Sequence, residues 1–94
     1  MKYTVLPSRQ FKKDVRKLVK SGIDISKLQK VVYALEKGEK LASQFKDHAL
    51  KGSLKGKREC HIQSDWLLLY ETDNDKLLLL LLRTGDHRHV LNIE

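Results

Sequence analysis

Six consecutive leucines, residues 77–82, stand between the polar segment Thr72-Asp73-Asn74-Asp75 and Arg83. Such a run must leave water, and it is far too short to span a bilayer. It lacks the alternation of a strand with one wet face. It therefore predicts a central strand covered on both faces, or one partly covered by a partner chain. A buried helix is the competing assignment, but the flanking turn and the short length favour a strand. With 94 residues there is room for one domain, which buries only about 60–65% of the surface its unfolded chain exposes. Every large apolar residue is needed in so thin a core.

The remaining pattern supplies partners for that strand. Residues 2–6 form a short strand that Pro7 ends, because proline offers no ladder donor. Ser8 is a plausible N-cap for a helix in which Phe11, Val15, Leu18 and Val19 make one apolar stripe, with Lys12, Lys13, Arg16 and Lys17 turned outward. Gly22 ends it. Asp24 or Ser26 caps a second helix carrying Leu28, Val31, Val32 and Leu35, with Gly38 as terminator. After a looser stretch punctuated by Gly52 and Gly56, strands are predicted at 57–62, 66–71 and 76–83, the last two joined by the turn at 72–75. The expected class is α+β: a small antiparallel sheet with an N-terminal helical hairpin on one face, in the order β-α-α-β-β-β across residues 1–94.

Charge divides the chain. Residues 1–58 hold sixteen basic and five acidic side chains, whereas residues 59–94 hold three and seven. A basic first half joined to a second half rich in histidine suggests a surface that collects phosphates beside one that does chemistry. A solvated lysine-rich helix is the plainer reading of any single lysine. Cys60 is the sole cysteine, so no intrachain disulfide can form, as expected in a reducing cytoplasm. The opening Met-Lys-Tyr-Thr-Val-Leu-Pro lacks the apolar stretch of a signal peptide. A cytoplasmic protein without a membrane is the expectation.

The candidate site lies at the ends of the predicted strands. His48 follows Asp47, His61 stands four residues before Asp65, and His87 closes Arg83-Thr84-Gly85-Asp86-His87. Cleaving RNA without a metal needs a base for the ribose 2′-hydroxyl, an acid for the leaving 5′-oxygen and a cation for charge building on phosphate. Histidine, with an unperturbed pKa near about 6.5, suits both proton transfers, each worth roughly 10²–10⁴ in rate. Arginine suits the third role as a planar fork. Cys60-His61 is poor zinc spacing, because neighbours in a strand point to opposite faces. His89 reads as a surface residue, Trp66 as core with its N–H bonded at the rim, and Asp65 equally as a turn former or as an orienter of histidine.

Three ordered segments, Asp47-His48-Ala49-Leu50-Lys51-Gly52-Ser53-Leu54-Lys55-Gly56, then His61 with Asp65-Trp66-Leu67-Leu68-Leu69-Tyr70, then Arg83 to His87, resemble the YafQ branch of the RelE-like toxins of bacterial toxin–antitoxin systems. The resemblance covers nearly the whole chain. It implies a ribosome-dependent mRNA endonuclease that works without a metal cofactor and is silenced by a RelB/DinJ-like antitoxin, meeting operator DNA only through that complex. It implies His48, His61, Asp65, Arg83 and His87 as functional residues. Among them His87 is the general acid and Arg83 the phosphate clamp, with base and orienting roles shared by the other three. Lys51, Lys55, Lys57 and Arg58 are the expected phosphate contacts. Leu91 stands where the family often has an aromatic for base stacking, and Leu54 where it tends to carry another. A non-catalytic module of the same fold is the alternative, and a relative that poisons DNA gyrase a second; the histidines favour the nuclease, because phosphate binding alone would be served by lysine and arginine.

Overall fold

The computed structural model describes residues 1–91, without the side chains of His89 and Leu91. Strand β1 (Thr4–Pro7) leads into α1 (Arg9–Lys20) and α2 (Ser26–Glu36). A short β2 (His48–Ala49) precedes β3 (Arg58–Gln63), β4 (Trp66–Asp73), β5 (Leu78–Gly85) and a final turn of helix, α3 (His87–Leu91). Ser8 caps α1 as expected: its Oγ accepts the Phe11 N–H at 2.9 Å. The same hydroxyl donates to the Leu82 carbonyl at 2.8 Å, fastening the start of the helix to β5. At α2 the cap position falls on Ile25, which makes no side-chain cap. Asp24 instead accepts the Ser26 N–H from just outside the helix.

The strands lie in the order β1-β5-β4-β3-β2. The last three long strands are antiparallel neighbours, as the pattern predicts. The leading strand adds a parallel pairing, Thr4 with Leu78 through Pro7 with Leu81, and the helices between them in sequence help supply the long connection that a parallel pair needs. Both helices pack on one face, where Phe11, Leu28, Val31 and Leu35 meet Leu68, Tyr70, Leu79 and Leu81. On the opposite face Leu67, Leu69 and Val90 of α3 form a second, smaller cluster with Leu50 and Leu82. Among the described residues no helix is long and apolar enough to cross a membrane.

The leucine run is split between these faces. Leu79 and Leu81 are buried against the helices, whereas Leu78, Leu80 and Leu82 are half-buried on the other side. Coverage on both faces is thus complete on one and partial on the other. The strand also begins two residues later than expected. Asp73 accepts the backbone N–H groups of Asp75 and Lys76, both at 3.0 Å, and this tightens the chain into a turn that reaches Leu77. Leu77, at φ 55°, is left 46% exposed.

Candidate active site

Register decides which side chains share a face, since partners across an antiparallel pair point the same way. His48 pairs with Glu59, Glu59 with Leu69, and Leu69 with Arg83; one row further along, His61 pairs with Leu67. Leu67 and Leu69 pack against Val90 of α3. His48, Glu59 and His61 therefore lie on the α3 side of the sheet, away from α1 and α2. At roughly 4.8 Å per strand, the row from His48 to Arg83 spans about 14 Å.

Glu59 is the centre of this group. Its side chain is 3% exposed, and its Oε1 lies 3.5 Å from His61 Nε2 and 3.9 Å from His48 Nε2. Its Oε2 is buried with no hydrogen-bond partner. A carboxylate so placed is costly to bury without a partner, and the two imidazoles are the groups beside it. The spacing Glu-x-His within one strand puts both residues on one face, so Glu59 was legible two positions before His61. Glu59 is absent from the set expected from sequence, which holds His48, His61, Asp65, Arg83 and His87.

His48 is half exposed, and its Nδ1 lies 2.6 Å from the Lys46 carbonyl. A carbonyl only accepts, so Nδ1 carries the proton and the neutral ring presents a lone pair at Nε2. Next to it, Asp47 accepts the Tyr70 hydroxyl at 2.5 Å and Arg58 Nε at 3.3 Å. Arg58, expected at a phosphate, directs its Nε inward here. Burial, then the hydrogen bond to Asp47, pushes the Tyr70 phenol well above its ordinary pKa.

His87 opens α3 and is exposed. Its backbone N–H donates to Asp65 Oδ1 at 3.1 Å, so Asp65, from the turn between β3 and β4, ties that turn to the start of α3. Arg83 is held from the helix side: Asp14 of α1 accepts its Nε at 2.9 Å and its Nη2 at 3.3 Å. Asp14 also accepts the Thr84 N–H at 3.1 Å and Gln10 Nε2 at 3.0 Å. Burial pushes its carboxyl up, but these hydrogen bonds and the charge of Arg83 outweigh that and hold it below the usual aspartate value. Asp14 is the one acid in α1 and sits three residues after Phe11 and four before Leu18, on the buried stripe. That position was its signal.

Lys51 and Lys55 are exposed around a single 3₁₀ turn (Gly52–Leu54), and Lys57 is half-buried. Leu54 is buried and anchors the loop, so the position does not present a side chain for stacking. The side chain of Leu91, expected near RNA, lies outside the described residues. Cys60 is fully buried in the cluster beneath the helices, on the opposite face from His61.

The sequence model of the family described as "Bacterial toxin of type II toxin-antitoxin system, YafQ" matches residues 3–92. The chain belongs to the YafQ toxin family. It is 41% identical over 81 residues to the "mRNA interferase toxin YafQ" of Escherichia coli, covering 85% of this chain and 86% of that protein. Among solved structures, a copper-bound mutant toxin from Helicobacter pylori superposes with TM-score 0.89 at 42% identity, over 95% of this chain and 99% of the other. YafQ from Escherichia coli in its complex with DinJ gives 0.86 at 34%, over 97% and 99%. Another solved structure is described as a metal-bound toxin from Helicobacter pylori. Among the described residues of this chain, no group of three or more His, Cys, Asp or Glu side chains gathers closely enough to hold a metal ion.

Proposed function

We propose that this YafQ-family toxin is an mRNA endoribonuclease that cuts on the ribosome without a metal and so stops translation. The observation that carries the reading is the row of His48, Glu59 and His61 on the sheet face that also bears α3 and His87. In this reading the 2′-oxygen gives its proton to an imidazole of the row as the O2′–P bond forms. The P–O5′ bond breaks, and the 5′-oxygen takes a proton from His87, leaving a cyclic phosphate and a free 5′-hydroxyl. Arg83, kept in one orientation by Asp14, faces the charge that builds on the phosphate. Asp65 holds His87 in place through its backbone.

The exposed lysines of α1, with Lys51, Lys55 and Lys57, are the surface for ribosomal RNA and message. Each phosphate contact steepens the fall of log affinity with log salt by about 0.7 to 0.9. A flat salt response refutes that surface. The silencing partner is an antitoxin of the class that DinJ represents, acidic where it covers this surface, and operator DNA is met only through that complex. Both proteins work in the cytoplasm.

The test is cleavage of a defined mRNA by the purified protein in EDTA, with and without programmed ribosomes, beside His87→Ala. Cutting confined to ribosomes and lost in the folded variant is the expected result. A folded wild-type protein that never cuts replaces the nuclease with a binding module, and a fully active His87→Ala removes the acid.

A further inference from the structure

We propose that Tyr70, Asp47 and Arg58 form a latch that sets His48, rather than His61, as the proton acceptor. The proposal rests on the nuclease reading and assigns the base that this reading leaves shared. Three observations converge on the peptide between Lys46 and Asp47. Lys46 is in the left-handed region, at φ 49° and ψ 40°, with its N–H on the Ser43 carbonyl at 3.0 Å. Asp47 is pinned by the buried Tyr70 hydroxyl at 2.5 Å and by Arg58, whose Nε reaches both the carboxylate and the phenol oxygen at 3.3 Å. The Lys46 carbonyl between these two anchors then takes the His48 Nδ1 proton at 2.6 Å.

The direction of a carbonyl is fixed by the dihedrals on either side of its peptide. Here one side is set by the left-handed turn and the other by the latch. A left-handed lysine is uncommon, and it persists where its surroundings over-determine it. With Nδ1–H committed to the carbonyl, Nε2 is the ring atom that can accept a proton, on the side where Glu59 Oε1 lies at 3.9 Å. A proton arriving from the 2′-hydroxyl creates an imidazolium placed between the Lys46 carbonyl and that buried carboxylate. Tyr70 keeps its own proton, since burial and the Asp47 bond push it up, so it serves the latch as a donor. Tyr70, Asp47 and Arg58 are positioning residues: they act through His48 and need not touch RNA.

The experiment is carried out on the full chain with ¹⁵N-labelled histidine, reading two-bond correlations between ring protons and nitrogens, which report the tautomer of the neutral ring. The expected wild-type result is the Nδ1–H form at His48. Tyr70→Phe, which removes one oxygen and keeps the ring, shifts His48 toward the Nε2–H form and leaves His61 unchanged. Cleavage in single turnover falls by about 10–100-fold with KM within about twofold, the scale expected when a reacting group is misplaced rather than lost. Asp47→Asn keeps an oxygen for the Tyr70 hydroxyl and retains the tautomer, whereas Asp47→Ala loses it; this pair carries the same test if Tyr70→Phe does not fold. A His48 in the Nε2–H form in the wild type, or a tautomer indifferent to both Tyr70→Phe and Asp47→Ala, overturns the latch. The tautomer is read without RNA, so failure of the nuclease reading shows separately, as absent cleavage by a protein whose His48 responds as described.

Discussion

Asp14→Asn is the substitution whose effect the structure fixes most tightly. Each oxygen of the Asp14 carboxylate takes two donors: Oδ2 accepts Arg83 Nε and the Thr84 N–H, and Oδ1 accepts Gln10 Nε2 and Arg83 Nη2. An asparagine has one acceptor oxygen, so whichever way its amide turns, an NH₂ group faces two donors. The less damaging turn keeps oxygen toward the buried Thr84 N–H and sets the NH₂ against Gln10 and Arg83 Nη2. Two hydrogen bonds are then lost, and Arg83, whose side chain is only 18% exposed, loses its counter-charge. Broken bonds to charged groups are worth about 1.5–3 kcal/mol each when buried, and partial exposure of Arg83 lowers that, giving a cost of about 2–4 kcal/mol. For a domain of this size the melting temperature should fall by about 10–25 °C.

The assay is urea unfolding followed by circular dichroism, at about pH 7 and again in the acid range. The sign of the pH dependence follows from the lowered carboxyl of Asp14. A depressed native pKa gives stability that is fully present above the unfolded value and is lost as pH falls through the native one. Asparagine does not titrate, so the gap between wild type and variant should be widest near neutrality and should close in acid. A difference under about 1 kcal/mol at neutral pH, or one that does not shrink on acidification, refutes the account of Asp14 as the charged tie between α1 and β5.

Three further outcomes are expected. Thr84→Val removes the hydroxyl that accepts Trp66 Nε1 at 3.0 Å and donates to the Leu67 carbonyl at 2.8 Å, orphaning a buried indole N–H; urea unfolding should show a loss of about 1–3 kcal/mol, and an unchanged midpoint contradicts the bond. Cys60 is fully buried, and burial pushes its thiol up to about 12; native protein should resist iodoacetamide at neutral pH while urea-unfolded protein reacts, and rapid native labelling counts against the packing. Glu59→Gln keeps the shape but removes the charge between His48 and His61; the cleavage rate should fall by about 10–100-fold with no loss of stability, and wild-type activity in a folded Gln variant takes Glu59 out of the site.

The helices and long strands were legible because their signals are periodic. Phe11, Leu28, Val31 and Leu35 all face the sheet, and Ser8 caps where its position predicts. Boundaries went astray where a side chain out-competed the pattern: Asp73 draws the chain into a turn, and so the first leucine of the run is left in solvent. The parallel pairing of β1 had no local signal, because residues more than seventy positions apart make it. At the site, the histidines announced themselves by residue type. Their partners did not, since a glutamate, an aspartate and a tyrosine are unremarkable until register brings them together. Glu59 needed the Glu-x-His alternation, and Asp47 needed Tyr70 across two strands.

The position of Arg83 shows how a local irregularity joins the two faces. Leu79 and Leu81 point at the helices, and strict alternation would send Arg83 after them. The register slips between Leu69 and Tyr70, so that Leu69 pairs with Arg83 while Tyr70 pairs with Leu81, and Leu82 is the extra residue. Beyond this bulge it is Thr84 that returns to the helix side, beneath Trp66, and Arg83 falls in the row of Glu59 and His48. Strand β1 has ended at Pro7, paired with Leu81, so no strand satisfies the Thr84 N–H. Asp14 does so from α1, and with the same carboxylate it holds the guanidinium of the preceding residue. One aspartate on the helix face thereby completes the free edge of β5 and holds the Arg83 guanidinium. Loss of that contact should thus reach the chemistry as well as the fold: a folded Asp14→Asn protein, assayed below its lowered melting point, should cleave more slowly than wild type, and equal rates would separate Arg83 from the reaction.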